Sequence, residues 1–506
     1  MTVGVAGAGT MGAGIAQLAA LAGRPTVLHD PDLTALERGL ERARDGLRRG
    51  AERGRWPAHD AAAAADRLRA ASDLAELEPC ELVVEAAPER LEVKRELFAA
   101  LAEVVAPDAV LATNTSSLLV TAVATGVPRP ERVVGMHFFN PAPLMRLVEV
   151  VAGEQSGAPA LAAARALGEA MGKHVIAAAD GPGFLVNRCA RPFGLEAQRV
   201  VAEGLASVEQ VDRICRGAGG FRMGPFELSD LVGVDVGLAV ARSFFEQSFG
   251  EPRWRPTPLA ARVVAAGRHG RKAGHGWYRY DGDGVAQRAP DPPPPAPGGG
   301  DGLIVVTGEL PVAEELRDLA GAAGWEVAAD TAAGEVPFLI IDADPGSEAQ
   351  GGPRTILCAE ASLALLDPAG TASGFHALPP FGAAAVVEAT RATHTSLLAL
   401  ERTEHFFGTL GKAVEWVGDA PGLVLGRIVA QLVNEAAFAV REGVGSEDDV
   451  DAGLVLGLNH PRGPFAWARE AGFGHVLAVL EGLWEEQHDP AYRACPDLRR
   501  RFIDEG

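Results

Sequence analysis

Two histidine–glutamate pairs recur in this chain at one spacing. His137 and Glu149 lie in "GMHFFNPAPLMRLVEVV" (135–151), and His376 and Glu388 lie in "GFHALPPFGAAAVVEAT" (374–390). In each, the carboxylate follows the imidazole by twelve residues, and the two pairs are offset by 239. An imidazole that donates one ring N–H to a carboxylate is held in one tautomer, and its other nitrogen becomes the better base. Oxidation of an alcohol by hydride removal needs such a base for the hydroxyl proton. A histidine alone at the end of an apolar strand more often only satisfies a turn. Glu149, on a later strand that could run beside the first, gives His137 a chemical reading.

A hydride needs an acceptor. "GAGTMG" supplies Gly7, Gly9 and Gly12 in GxGxxG spacing, with Thr10 and Met11 between them. An apolar strand precedes it ("TVGVAG") and a helical run follows ("AGIAQLAALAG"), the context in which the spacing means dinucleotide binding. Gly7 permits the tight turn, Gly9 the approach of a pyrophosphate and Gly12 close helix packing; the helix N-terminus faces the phosphates. Asp30 ends the next strand, "PTVLHD". A carboxylate there binds ribose hydroxyls and repels a 2′-phosphate, so the expected cofactor is NAD rather than NADP.

The elements that position these groups follow from the pattern. Strand candidates at 81–87, 109–116, 133–139 and 147–153 alternate with helical runs, which predicts a doubly wound α/β sheet. From about Gly183 to Tyr280 the pattern is helix after helix. "DPPPPAPGGGDG" (291–302) then reads as a linker with a stiff half and a loose half. After it the order repeats: "GLIVVTGELP" is a strand, "FLIIDADP" (338–345) parallels "ELVVEAAP" (81–88), and Gly172/Gly411, Asp180/Asp419, Pro182/Pro421, Arg188/Arg427, Glu203/Glu442 and Pro225/Pro464 all keep the 239 offset. The expected architecture is an α/β Rossmann-like doubly wound domain followed by an all-α domain, the two-domain unit duplicated with a degenerate second copy. The boundaries read as 1–182, 183–285, a linker at 286–302, 303–415 and 416–506.

Composition bounds the function. A chain of 506 residues is too long for one core. A net charge of −21 argues against nucleic acid or an anionic membrane as partner. The five cysteines are scattered with no CxxC, so neither a disulfide framework nor a metal site is expected. The start, "MTVGVAGAGTMG", has no basic or apolar leader, and no long charge-free apolar run occurs; a cytoplasmic protein is the expectation.

"GAGTMGAGIAQ", "VVEAAPERLEVKRELF", "TNTSSL", "GMHFFNP", "LVEVV", "DGPGFLVNR" and "MGPFELSDLVG" together resemble the L-3-hydroxyacyl-CoA dehydrogenases over residues 1 to about 280. The resemblance implies that His137 is the catalytic base and Glu149 its orienting carboxylate. It implies that Ser116 hydrogen-bonds the substrate oxygen, that Asn187 polarises the acyl carbonyl, and that Glu89, Lys94 and Asn114 line the cofactor. Read without it, Ser116 and Asn187 are better explained as helix caps. The family binds coenzyme A partly through the helical segment after the second strand. Here that segment is "LERARDGLRRGAERGRW" (40–56), whose Arg48, Arg49, Arg53 and Arg55 could meet phosphates. Gly46 and Arg53 stand where the family has a serine and a lysine. The implied reaction is reversible NAD-dependent oxidation of a 3-hydroxyacyl-CoA. It fits fatty-acid β-oxidation, butanoate metabolism or aromatic-acid breakdown such as phenylacetate catabolism. Longer relatives with a doubled C-terminal part act on short or dicarboxylic acyl chains, such as 3-hydroxybutyryl or 3-hydroxyadipyl groups. The competing readings are a same-fold dehydrogenase of a free hydroxy acid or sugar acid, and a non-catalytic NAD or acyl-CoA binder.

The second copy has lost the cradle. "VVTGELPVAEEL" keeps one glycine and places Pro311 in the turn; Gly426 stands for Asn187 and Pro379 for Asn140, while His376, Glu388 and Ser362 survive. This copy is expected to be silent. The resemblance implies pairing through the helical domains, so 416–506 is expected to pack on 183–280 as an intramolecular pseudo-dimer, leaving room for a homodimer of whole chains.

Overall fold

The computed structural model describes residues 1–330, 336–343 and 351–505. The chain opens with β1 (Val3–Ala6), α1 (Thr10–Leu21), β2 (Thr26–His29), α2 (Leu33–Glu52), α3 (Ala58–Arg67), β3 (Leu68–Ala71), β4 (Leu82–Glu85) and α4 (Leu91–Val104). It continues through β5 (Val110–Thr113), α5 (Val120–Ala124), β6 (Val133–Phe138), β7 (Leu147–Ala152), α6 (Ala158–Ala170) and β8 (His174–Ala179). The strands form one sheet in the order β3-β2-β1-β4-β5-β6-β7-β8. All neighbours are parallel except β6 and β7. Central strands such as β1 and β4 are buried along their whole length, as helix-covered parallel strands are. β3 and β8, absent from the sequence reading, are the two edge strands. Each exposes residues along its length, so neither shows an unbroken apolar run.

Helices follow Gly183 as expected: α7 (Val186–Cys189), α8 (Arg191–Ala202), α9 (Val208–Gly217), α10 (Pro225–Val232), α11 (Val234–Gln247) and α12 (Pro258–Ala265). The second copy contains β9 (Leu303–Thr307), α13 (Pro311–Ala323), β10 (Glu326–Ala328), β11 (Leu339–Asp342), β12 (Arg354–Leu357), α14 (Leu363–Leu366), β13 (Ser373–His376) and β14 (Val386–Arg391). Then come α15 (Leu397–Thr409), β15 (Ala413–Val417), α16 (Leu425–Arg441), α17 (Glu447–Leu458), α18 (Pro464–Ala471), α19 (Phe473–Gln487) and α20 (Pro496–Glu505). Its sheet runs β10-β9-β11-β12-β13-β14-β15, the first order less one edge strand. Only ten residues separate β10 from β11, too few for counterparts of α2, α3 and β3. Pro311, expected in the turn, instead opens α13, where its missing N–H costs no helical bond. Asp344 and Pro345 of "FLIIDADP" lie outside the described residues.

The chain divides into two compact units, and the division does not follow the copies. One unit is Met1–Arg188 with Glu442–Leu458; the other is Cys189–Arg441 with Asn459–Gly506. In the first unit α17, from the second copy, packs on β7 and β8. In the second unit its counterpart α9, from the first copy, packs on β14 and β15. There α8 also lies along α16, and the fully buried Arg427 binds Glu196 at 2.7 Å, Glu203 at 2.7 Å and the Tyr492 hydroxyl at 2.7 Å. Among the described residues no helix is long and apolar enough to cross a membrane.

Candidate active site

The twelve-residue spacing is a register. β6 and β7 are antiparallel neighbours with His137 directly opposite Glu149, and His137 Nδ1 lies 2.6 Å from Glu149 Oε2. Both side chains are buried. A proton on Nδ1, donated to the carboxylate, leaves Nε2 with the lone pair. The other oxygen, Glu149 Oε1, accepts the backbone N–H groups of Leu185 (3.1 Å) and Val186 (3.0 Å). These open the short helix α7, whose second residue is the half-buried Asn187. One carboxylate therefore orients the imidazole and seats the segment that carries Asn187. Phe139 and Phe184 flank the imidazole, with ring centroids 4.6 and 5.8 Å away.

The remaining groups stand along the carboxyl ends of neighbouring strands, from Asp30 after β2 to His137 in β6, with the order reversing between β1 and β4 as in dinucleotide-binding sheets. Gly7 has φ +112°, and a Cβ there would lie 2.6 Å from the Ala86 carbonyl oxygen. A Cβ on Gly12 would lie 1.8 Å from the Gly7 carbonyl oxygen, so the helix can start here only with glycine. A Cβ on Gly9 would meet nothing within 4 Å; this side is open to a pyrophosphate. Gly9 caps α1 without a side-chain bond, leaving the N–H groups at Thr10 and Met11 to an anion. Asp30 Oδ2 accepts from Ala8 N at 2.8 Å, bracing the loop it was expected to complement. These residues fit a dinucleotide.

Glu89 Oε1 accepts from Thr115 Oγ1 (2.6 Å), Ser116 N (2.9 Å), Ser117 N (3.1 Å) and Ser117 Oγ (2.9 Å). Burial pushes its carboxyl up, but the Thr115 bond, the Lys94 charge and the serine bonds outweigh burial and hold it below the usual range. Glu89 thus shapes the loop that presents the exposed Ser116. Lys94, expected to line the cofactor, is instead buried, with Nζ 2.6 Å from Glu85 Oε1 and 3.2 Å from Glu89 Oε2. Its charge is held between the Glu85 and Glu89 carboxylates. Asn114 Oδ1 accepts from Phe138 N at 2.9 Å, tying β5 to the end of β6. The sequence reading missed Glu85 and Thr115, although both lie inside quoted motifs.

Beside α2 lies a cavity of about 230 Å³ whose walls include Arg42, Arg49, Arg53, Arg55, Trp56 and Pro143. Arg48 does not line it; it projects outward to Asp45 (3.0 Å) and Glu52 (3.8 Å). Arg42, one helical turn before Gly46, takes the place the reading gave to Arg48. Gly46 has its own reason: a Cβ would lie 2.1 Å from Gln17 Oε1. Lys173 Nζ donates to the carbonyls of Ala142 (2.7 Å) and Met145 (2.6 Å), pinning the loop that forms the opposite wall. Burial pushes its amine down to about 8.

Residues 2–181 match the NAD-binding domain of 3-hydroxyacyl-CoA dehydrogenase, and residues 183–280 and 422–506 match its C-terminal domain. The chain belongs to the 3-hydroxyacyl-CoA dehydrogenase family. As a member it is an NAD-dependent oxidoreductase. It is 37% identical over 502 residues to the 3-hydroxyadipyl-CoA dehydrogenase of Escherichia coli (strain K12), covering 99% of this chain and 97% of that one. The crystal structure of 3-hydroxybutyryl-CoA dehydrogenase from Escherichia coli K12 superposes with a TM-score of 0.84 at 35% identity, over 100% of this chain and 98% of the other. The probable 3-hydroxybutyryl-CoA dehydrogenase of Deinococcus radiodurans is 40% identical over 281 residues, 55% of this chain and 100% of that relative.

The second copy of this dehydrogenase holds the same register without the same site. His376 faces Glu388 across β13 and β14, with Nδ1 3.4 Å from Oε1. Its Nε2, the nitrogen that would meet substrate, lies 3.1 Å from His475 Nε2. A Cβ on Gly426 would lie 2.3 Å from His376 Cε1, so the imidazole fills the space an asparagine would need. Burial pushes both imidazoles down to about 3, and it pushes Glu388 up to about 8 against the N–H groups of Val424 and Leu425.

Proposed function

We propose that the first copy reversibly oxidises the 3-hydroxyl of a short or dicarboxylic L-3-hydroxyacyl-CoA to the 3-oxoacyl-CoA. The observation that carries this is the buried 2.6 Å contact between His137 and Glu149, with the Leu185–Val186 backbone that leads into Asn187 seated on the same carboxylate. Gly7, Gly9, Gly12 and Asp30 would hold NAD, which would supply the acceptor for the C3 hydride. His137 Nε2 takes the hydroxyl proton, and Glu149 stabilises the imidazolium that results. Ser116 binds the C3 oxygen, and Asn187 donates to the thioester carbonyl; both are fixed in advance, so they stabilise charge without reorganising. In reverse, His137 returns the proton. Arg42, Arg49, Arg53 and Arg55 suit the phosphates of a coenzyme A arm, which favours the thioester over a free hydroxy acid or sugar acid. Full-length relatives named for 3-hydroxyadipyl-CoA and 3-hydroxybutyryl-CoA support a short or dicarboxylic acyl group. Such a reaction serves β-oxidation, butanoate metabolism or aromatic-acid breakdown in the cytoplasm.

The second copy is catalytically silent and acts as a built-in pseudo-dimer partner. Two features support this: the α8–α16 packing around Arg427, and the occupation of His376 by His475. NADH consumption with acetoacetyl-CoA, beside free acetoacetate, tests the reaction. Turnover with the thioester alone is expected; turnover with the free acid alone would favour the hydroxy-acid enzyme, and none with either would favour a binding protein.

A further inference from the structure

Residues Glu442–Leu458 are encoded in the degenerate copy, yet they fold into the unit that carries His137. They reach its site at three points. Glu442 Oε2 accepts from Arg188 Nη2 at 2.8 Å, and Arg188 is the residue after Asn187. The Val444 carbonyl accepts from Ala179 N at 2.8 Å, at the end of β8. The loop before α17 and α17 itself then approach so closely that glycines mark the contact. A Cβ on Gly445 would lie 2.5 Å from Leu185 Cδ2, on Gly453 2.7 Å from Val186 Cγ2, and on Gly457 2.7 Å from Leu147 Cδ2 and 3.4 Å from Phe139 Cε1.

The residues touched are the ones that set the catalytic geometry. Leu185 and Val186 supply the two N–H groups that Glu149 accepts, and Phe139 packs on the His137 ring. The face is also the right one. Val148 and Val175 point toward α6, within 3.0 and 2.9 Å of where a Gly168 Cβ would be. Strand alternation then sends Leu147 and Glu149 to the opposite face, the face that α17 covers.

We propose that Glu442–Leu458 of the silent copy is a positioning element for the first copy's site. Glu442 fixes Arg188 and through it Asn187, while α17 backs Leu185, Val186 and Phe139. The inference rests on the dehydrogenase reading above. The repeat supplies its own control. Glu203 bears the same relation to Arg427, but Arg427 follows Gly426, which has no side chain to position.

The test uses the full chain with Glu442→Gln, Gly457→Leu and Glu203→Gln, assayed with acetoacetyl-CoA and NADH. Glu442→Gln is expected to lower kcat by about tenfold with KM and NADH affinity unchanged, because it misplaces a group used in the transition state. Gly457→Leu is expected to lower kcat further, while Glu203→Gln stays close to the parent. Parental kcat in Glu442→Gln, or an equal loss in Glu203→Gln, overturns the proposal. The isosteric Glu442→Gln decides the matter if Gly457→Leu does not fold. Should the parent not turn over acetoacetyl-CoA, the thioester reading fails separately. The downfield imidazole N–H resonance of His137 then reports instead: it shifts in Gly457→Leu if the proposal holds and stays in place if it does not.

Discussion

His137→Ala is expected to lower kcat for acetoacetyl-CoA reduction by about 10²–10⁴-fold, the usual worth of a positioned acid–base group, while His376→Ala leaves it close to the parent. The two residues occupy equivalent strand positions, and each faces a buried glutamate. The difference lies in what surrounds them. His137 is the proposed base of a site with Ser116, Asn187 and a glycine cradle. His376 Nε2 is spent on His475 at 3.1 Å, behind a glycine where an asparagine would stand. Removing His376 leaves His475 without that partner in a buried position, so the cost should appear in thermal unfolding rather than in turnover. NADH affinity, unchanged in both variants, separates loss of the base from loss of the fold. Comparable loss of kcat in both variants would contradict the division of labour between the copies.

A chain ending in the linker at residue 290 is expected to self-associate instead of persisting as an active monomer. It would lack α17 and so expose Leu147, Ile176, Val186 and Leu185, all buried in the full chain. It would also lack Arg427. Burial pushes the Glu196 carboxyl up, and the Arg427 and Arg199 charges are what hold it below the usual range. Removing one partner of a fully buried ion pair typically costs about 3–5 kcal/mol. A second copy of the fragment can restore both losses. Arg188 is the positional equivalent of Arg427, and α9 is that of α17, so one fragment offers the groups the other has lost. The 281-residue match to the Deinococcus radiodurans relative shows that a chain of that length occurs alone. Light scattering alongside the assay checks this. A soluble, active monomer would show that the second copy is dispensable, and would count against the pseudo-dimer.

Much of the site was legible in the sequence because it depends on local spacing. Twelve residues from His137 to Glu149 is the length of one antiparallel return, and the glycine triad sits between a strand and a helix in consecutive residues. What was hidden depends on tertiary choice. Lys94 reads as a residue that lines the cofactor, yet it is buried because Glu85 and Glu89 neutralise it there. Arg48 and Arg42 look alike in the text of α2; helical geometry sends one toward Asp45 and the other into the cavity. The 239 offset identifies α17 with α9, but an apolar helix face does not say which sheet it will cover. The glycines at 445, 453 and 457 were the available signal. They become readable only once Leu185, Val186 and Leu147 are seen against them.

In the proposed division of labour, a chain built from two copies carries one working site. Titration of the full chain with NADH, followed by its fluorescence, tests this most directly. Saturation is expected at one equivalent per chain, abolished by Gly12→Ala, which would place a Cβ 1.8 Å from the Gly7 carbonyl oxygen. Saturation at two equivalents per chain would contradict it.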